Sequence, residues 1–332
     1  MKYLSEIDAA RGFFIILVVA IHVASFMIWY NPNPNIDTYF WFFAFGKFSV
    51  PGFVLLSGLV LSYSYRNKAF SYSGFLKGRL AYIVVPYLVW SGIYFTFKTP
   101  ETITAALIML AQGKAMFHLY FIVIIFQFYL LLPLFLKLTN AIPFSIFATL
   151  GLALQLAAFD YLPSLPTFKP LTPSAFVFWF YVFTIGLYFG KHYEAVMRFV
   201  DKNGALVMSL FVMATLMTYI KFHASIEKGR KVWQAADSMP IVMTVAGVLF
   251  VLFLARKFGS TQSPLHAVGK HSFAIYLAHM VPLLVAKPIF KMLGITFTDL
   301  IAALLLAATV ALSLAFSALL KKAPGTALLI GK

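Results

Sequence analysis

The sequence predicts an all-α, polytopic membrane helical bundle with about ten transmembrane helices. Three observations carry that expectation. Of 332 residues, 62% are hydrophobic and 11% charged, where a soluble domain carries about a quarter charged. The mean hydropathy is +0.89. The apolar residues also fall in stretches of about 20, parted by polar or Pro/Gly breaks. Their cores run over 12–30, 39–63, 79–97, 118–137, 142–159, 174–190, 204–220, 239–256, 272–291 and 297–320.

Between these cores, "ETITAALIMLAQ" (101–112) is too short to cross. It reads as an interfacial or re-entrant helix with Glu101 in its first turn. No internal repeat or low-complexity linker breaks the chain, so 1–332 reads as a single membrane domain without a soluble extension. Glu6 and Asp8 against Lys2 give the wrong charge for the start of a cleaved signal peptide.

Charge separates the remaining classes. The chain holds 26 Lys+Arg against 10 Asp+Glu, a net +16. On a bilayer protein such basic residues collect at cytoplasmic loop ends and face anionic headgroups, so no nucleic-acid partner is expected. With both termini placed in the cytoplasm, sixteen basic residues fall inside and nine outside, with Lys47 within a span. That asymmetry predicts cytoplasmic termini, although the basic loop 221–237 then falls outside. There is no cysteine, and seven dispersed histidines give no ligand spacing, so no metal site is expected.

An ionisable side chain inside a span costs roughly 2.5–3.5 kcal/mol on insertion scales, so each one asks for a role. In "RGFFIILVVAIH" (11–22), Arg11 and His22 lie roughly 16 Å apart along a helix and within roughly 20° of one direction. Ile15 and Val18 lie between them on that face. Asp8, one turn before Arg11, is spaced to pair with it. A titratable imidazole half-way into the bilayer suits proton transfer. The structural alternative has Arg11 snorkelling to headgroups and His22 bonding a neighbouring helix.

In the second span, "FGKFSVPGFVLLSG" (45–58) should kink or interrupt its helix at Pro51-Gly52. Lys47 then either lines a cavity beside freed backbone or reaches the interface. Ser57-Gly58 reads as a small-residue helix contact. Lys77 and Arg79 start the third span, where a guanidinium either binds phosphate or follows the positive-inside bias. His118 opens the fourth span and Gln127 lies mid-helix, on opposite faces. In "GKHSFAIYLAHM" (269–280), Ser272, Tyr276 and His279 form one polar stripe that must point inward. The stretch 192–202 reads as a charged, amphipathic cytoplasmic connector. HExxH, GxSxG and Walker A patterns are absent.

These segments, in this order, resemble the acyltransferase 3 family of integral membrane acyltransferases. "IDAARG" (7–12) is similar to the family's opening, and Arg11-x10-His22 to its first-helix motif. "PGFVLLSG", "GRLAYIVVPY", "HLYFIVIIFQFYLLLP" and "GKHSFAIYLAH" resemble its later segments, with Tyr120 where many members have Trp. Tyr82 stands where many members carry a second arginine, which weakens a two-arginine donor site.

The resemblance implies a membrane O-acyltransferase that moves acetyl or succinyl from cytoplasmic acyl-CoA to a cell-surface or extracellular carbohydrate. His22 is then catalytic with Arg11 beside it. Arg79, Asp8, Lys47, His118, Ser272, Tyr276 and His279 become substrate-binding candidates. Acyl-CoA is a co-substrate and no cofactor is implied. A subgroup tied to biofilm poly-N-acetylglucosamine, discussed as exporter and as O-acyl modifier, is similar in its short chain. An exporter of polysaccharide or lipid-linked sugar, and a scaffold for a glycan synthase complex, remain the competing readings.

Overall fold

The computed structural model describes residues 4–31, 34–66, 68, 70–165, 173–232, 241–323 and 326–331. All regular structure among them is helical. In chain order the elements are α1 (Ser5–Tyr30) and α2 (Ile36–Tyr65). Next come α3 (Tyr72–Arg79), α4 (Val85–Phe95), α5 (Ile103–Gln112), α6 (Tyr120–Ala141) and α7 (Phe144–Tyr161). They are followed by α8 (Phe180–Lys191), α9 (Tyr193–Lys202), α10 (Gly204–Glu227) and α11 (Ile241–Phe258). The last are α12 (Pro264–Lys270), α13 (Ser272–Ala278), α14 (Met280–Met292), α15 (Asp299–Lys322) and α16 (Ala327–Ile330).

Among the described residues, eight helices are long and apolar enough to cross a bilayer, beside the ten stretches read from the sequence. The stretch 174–190 forms a 16-residue apolar helix, Phe176–Lys191. At about 1.5 Å per residue it reaches only about 24 Å, short of a roughly 30 Å hydrocarbon core. The stretch 79–97 belongs to a longer helical run that starts in the polar turn of α3. A π turn over Leu80–Val84 joins α3 to α4. The short helix α5 forms as expected, but Glu101 lies just outside it. Thr102 caps it instead, its hydroxyl accepting from the Ala105 N–H at 3.0 Å, and Gly113 ends it in the left-handed region at φ 69°.

The helix α2 is interrupted where Pro51 predicts. A π turn (Phe40–Ala44) and a 3-10 turn (Phe45–Phe48) precede regular α-helix from Ser49. Pro51 has no N–H to offer the Lys47 carbonyl four residues back, so the ladder loses a bond there.

The chain divides into two compact units. Unit 1 comprises Val54–Val196 and Ala323–Lys332, and unit 2 comprises Lys2–Phe53 and Met197–Lys322. In unit 1, α2 and α8 meet backbone to backbone. A Cβ on Gly186 or Gly190 would lie 2.1 Å from the carbonyl oxygen of Leu55 or Leu59, and one on Gly58 2.5 Å from that of Phe183. The pair Gly186-x-x-x-Gly190 is the small-residue spacing that lets membrane helices approach closely. Gln127 fastens α6 to the entry of α8. Its amide donates to the Ser174 carbonyl at 2.7 Å and its oxygen accepts from the Phe176 N–H at 3.1 Å.

In unit 2, α1 is the axis. Ile7, Ala9, Ala10, Phe14, Ile15, Val19, Val23 and Ala24 are buried. Around it lie α11, α12, α13, α15 and the 40–48 segment of α2. The apolar outer faces of α10 and α15, with Met217, Ile220, Leu300, Leu304 and Leu319 exposed, suit lipid.

Candidate functional site

The site is built on α1 and α13. Ser263 caps α12, accepting from the His266 N–H at 3.2 Å, with Pro264 at the first helical position. This starts α12 against α1 at a separation only glycine allows. A Cβ on Gly269 would lie 1.7 Å from the Asp8 carbonyl oxygen, and one on Gly12 2.0 Å from that of Leu265. The glycines of "ARG" and "VGK" therefore fix the register between α1 and the helix that leads into α13.

That register brings His22 and His279 together. Their rings stack with centroids 5.0 Å apart and planes 18° from parallel. His279 sits at the break between α13 and α14, where Pro282 cannot supply an N–H to the Ala278 carbonyl. Its Nδ1 faces two carbonyls, Tyr276 at 2.8 Å and Ile275 at 3.1 Å. Carbonyls only accept, so Nδ1 carries the proton and the neutral ring presents Nε2 as a base. His279 is fully buried, whereas His22 is half-buried. Tyr276 is buried beside the pair, its ring 6.2 Å from that of His279, and Ser272 is buried one turn earlier.

At the near end of α1, the Arg11 guanidinium donates to Asp8 at 3.3 Å, as the spacing predicts. Arg11 is about a third exposed and Asp8 largely covered, so the carboxylate holds the guanidinium at the helix mouth. Lys47, in the 3-10 turn of α2, places its ammonium 4.8 Å from the Phe43 ring.

Arg79 and His118 belong to unit 1. The Arg79 guanidinium lies over two aromatic rings, Phe75 at 5.0 Å and Tyr129 at 5.2 Å. His118 is buried in the turn before α6 and meets the Tyr94 ring edge-on at 5.4 Å.

One group of polar side chains lies beyond the sequence-based expectations. His271 Nδ1 lies 2.7 Å from the Ser317 hydroxyl, and its Nε2 lies 2.7 Å from the Lys321 ammonium. Thr309, Ser313 and Ser317 recur every fourth residue on α15, and all three are buried. That period of four in "TVALSLAFS" is the signal that marks them.

The family model described as an acyltransferase domain matches residues 4–321, nearly the whole chain. The chain belongs to the acyltransferase 3 family. It is therefore a multi-pass membrane acyltransferase. Curated relatives of this acyltransferase 3 protein include two named as probable poly-beta-1,6-N-acetyl-D-glucosamine export proteins. The one from Staphylococcus aureus is 24% identical, over 70% of this chain and 68% of that protein. The one from Staphylococcus epidermidis is 26% identical, over 70% and 67%. No solved structure matches.

Proposed function

We propose that the protein transfers an acetyl or succinyl group from acyl-CoA, entering from the cytoplasm, to a hydroxyl of a cell-surface or extracellular carbohydrate. The observation that carries this reading is the stacked His22–His279 pair, set deep in α1 with Arg11 at the mouth of the same helix. The half-buried His22 takes the acceptor's hydroxyl proton. The freed oxygen attacks the thioester carbonyl carbon, a C–O bond forms and the C–S bond breaks. CoA leaves as a thiolate that takes up a proton. His279, held in one tautomer by its own helix, orients the stack and accepts at Nε2. Arg11, preset by Asp8, pairs with donor phosphate. Arg79 is assigned phosphate binding on the family resemblance, and its role is tested separately.

Export of a polysaccharide is the second reading, favoured by the names of the relatives. One experiment divides the two. Membrane-inserted His22→Ala is quantified, and acyl groups per glycan unit are measured beside total exported glycan. Acyl transfer predicts under-acylated glycan at normal insertion. Normal acylation by a normally inserted variant would end this reading, and reduced export at unchanged acyl content would favour the exporter.

The proposed locale is the cytoplasmic membrane with both termini inside. The native chain has no cysteine, so a single Lys202→Cys at the end of α9 is a clean reporter. It should resist an impermeant thiol reagent applied to intact cells and react once the cells are opened. Labelling from outside reverses the orientation. Asn67, a natural site for the same test between α2 and α3, lies outside the described residues.

A further inference from the structure

We propose that Ser317, Ser313 and Thr309 line a hydrated proton path along α15, which joins the His271–Lys321 end of unit 2 to the histidine pair. The inference rests on the reading of His22 and His279 as the base of the transfer, and it adds residues that this reading does not use.

Three observations converge on it. The first is a hydrogen-bonded chain with a defined polarity. The Lys321 ammonium can only donate, so it donates to His271 Nε2 at 2.7 Å. His271 Nδ1 then holds the ring proton and donates to the Ser317 hydroxyl at 2.7 Å. Lys321 is exposed while Ser317 is fully buried, so the chain runs from the surface into the helix packing.

The second is the state of the next two hydroxyls. Thr309 and Ser313 are 0% and 1% exposed, and neither hydroxyl finds a hydrogen-bond partner among the described residues. Serine and threonine in a helix normally return their proton to the carbonyl four residues back, as Thr215 and Thr218 do on α10 at 2.8 Å each. A buried hydroxyl left without a bond costs about 1–3 kcal/mol. Two in succession, in line with a bonded third, mark a polar strip that needs water.

The third is register. The chain turns back after α14, and α15 packs on α13, α14 and α1. His271 pairs with Ser317, so the eight steps from His271 to His279 run beside the eight from Ser317 back to Thr309. Each segment rises about 12 Å. Thr309 thus stands at the depth of His279, the ring stacked on His22.

The path restores the base between turnovers. Transfer leaves the acceptor's proton on an imidazole nitrogen, and that proton passes through water beside Thr309 and Ser313 to Ser317 and His271, then to bulk water at the Lys321 end. The departing thiolate takes one proton from bulk water, so none is gained or lost. The arrangement described donates inward, so each outward passage begins with a tautomer change at His271, rotation of the Ser317 hydroxyl and release of the Lys321 ammonium to water. Passage of the proton from Ser317 to Nδ1 and from Nε2 to bulk water then returns the chain to its starting donors.

The test compares hydroxyl removal with hydroxyl retention in full-length, membrane-inserted protein. Thr309→Val with Ser313→Ala keeps the volume and dries the strip, while Thr309→Ser with Ser313→Thr keeps both hydroxyls. Acetyl-CoA is the probe, and turnover is read in H2O and in D2O. The dry variant should lose about tenfold or more in kcat, within the range acid–base catalysis supplies, with the donor KM unchanged and a larger solvent isotope effect. The hydroxyl-retaining variant should recover both. Should the dry variant turn over normally while His22→Ala is inactive, the path is overturned and the base stands. Full transfer by His22→Ala removes the base and the path with it. A dry variant that is slow but has an unchanged isotope effect has lost packing alone, which also overturns the path.

Discussion

Unit 2 and unit 1 each hold an arginine and a histidine that the sequence marks as site candidates, and they surround them differently. In unit 2, Arg11 is met by the Asp8 carboxylate and His22 by a second imidazole. In unit 1, Arg79 lies over Phe75 and Tyr129, and His118 meets the edge of Tyr94. A polar group facing another polar group can exchange a proton or be steered by it. A polar group against aromatic faces is held by packing and by the ring quadrupole. The difference is the reason the proton chemistry is proposed for unit 2 and ligand or helix holding for unit 1.

The largest expected effect tests the histidines. His22→Ala should lower transfer by about 10²–10⁴, the usual worth of a general base. His118→Phe, which keeps a ring against Tyr94, should stay within about tenfold of the parent. Equal losses, measured as turnover per inserted protein, would erase the contrast.

A smaller effect sharpens the contrast in packing. Gly269→Ala forces a methyl into the Asp8 carbonyl and should destabilise by about 1–3 kcal/mol. A methyl added at Gly92 in α4 would meet nothing within 4 Å, so Gly92→Ala should gain about 0.5–1 kcal/mol of helix propensity. Thermal unfolding in detergent reads both. The two arginines give the smallest difference. Arg79→Lys keeps the charge but loses the planar stack, about 1 kcal/mol, and should raise the donor KM about fivefold. Arg11→Lys can still pair with Asp8 and should change it by less than about twofold. Unchanged donor KM in both, and in the two alanine variants, would remove these residues from phosphate binding.

What the sequence disclosed follows from what is local in the chain. The apolar runs, the break at Pro51, the Asp8–Arg11 pair and the contact at Gly58 depend on neighbours a few residues away or on composition. The stack of His22 on His279 joins positions far apart in the chain, and no period within either helix announces it. His271 is silent in the sequence for the same reason, because its partners lie on α15. The stretch 174–190 departs from expectation for another cause. Its apolar residues begin in a 3-10 turn and end at Lys191, so composition overstates its helical length.

The close seat of Gly12 against Leu265 has a consequence for how the protein is made. Helix α1 leaves the ribosome long before α12, α13 and α15, which cover its polar face. At about 5–20 residues per second, Arg11 and His22 wait roughly 10–50 s before their neighbours arrive. During that interval the first helix holds its charges in the bilayer unaided or in the care of the insertion machinery. A nascent chain arrested before Leu265 should therefore be a ready substrate for membrane quality control, even though most of its apolar helices are already in place.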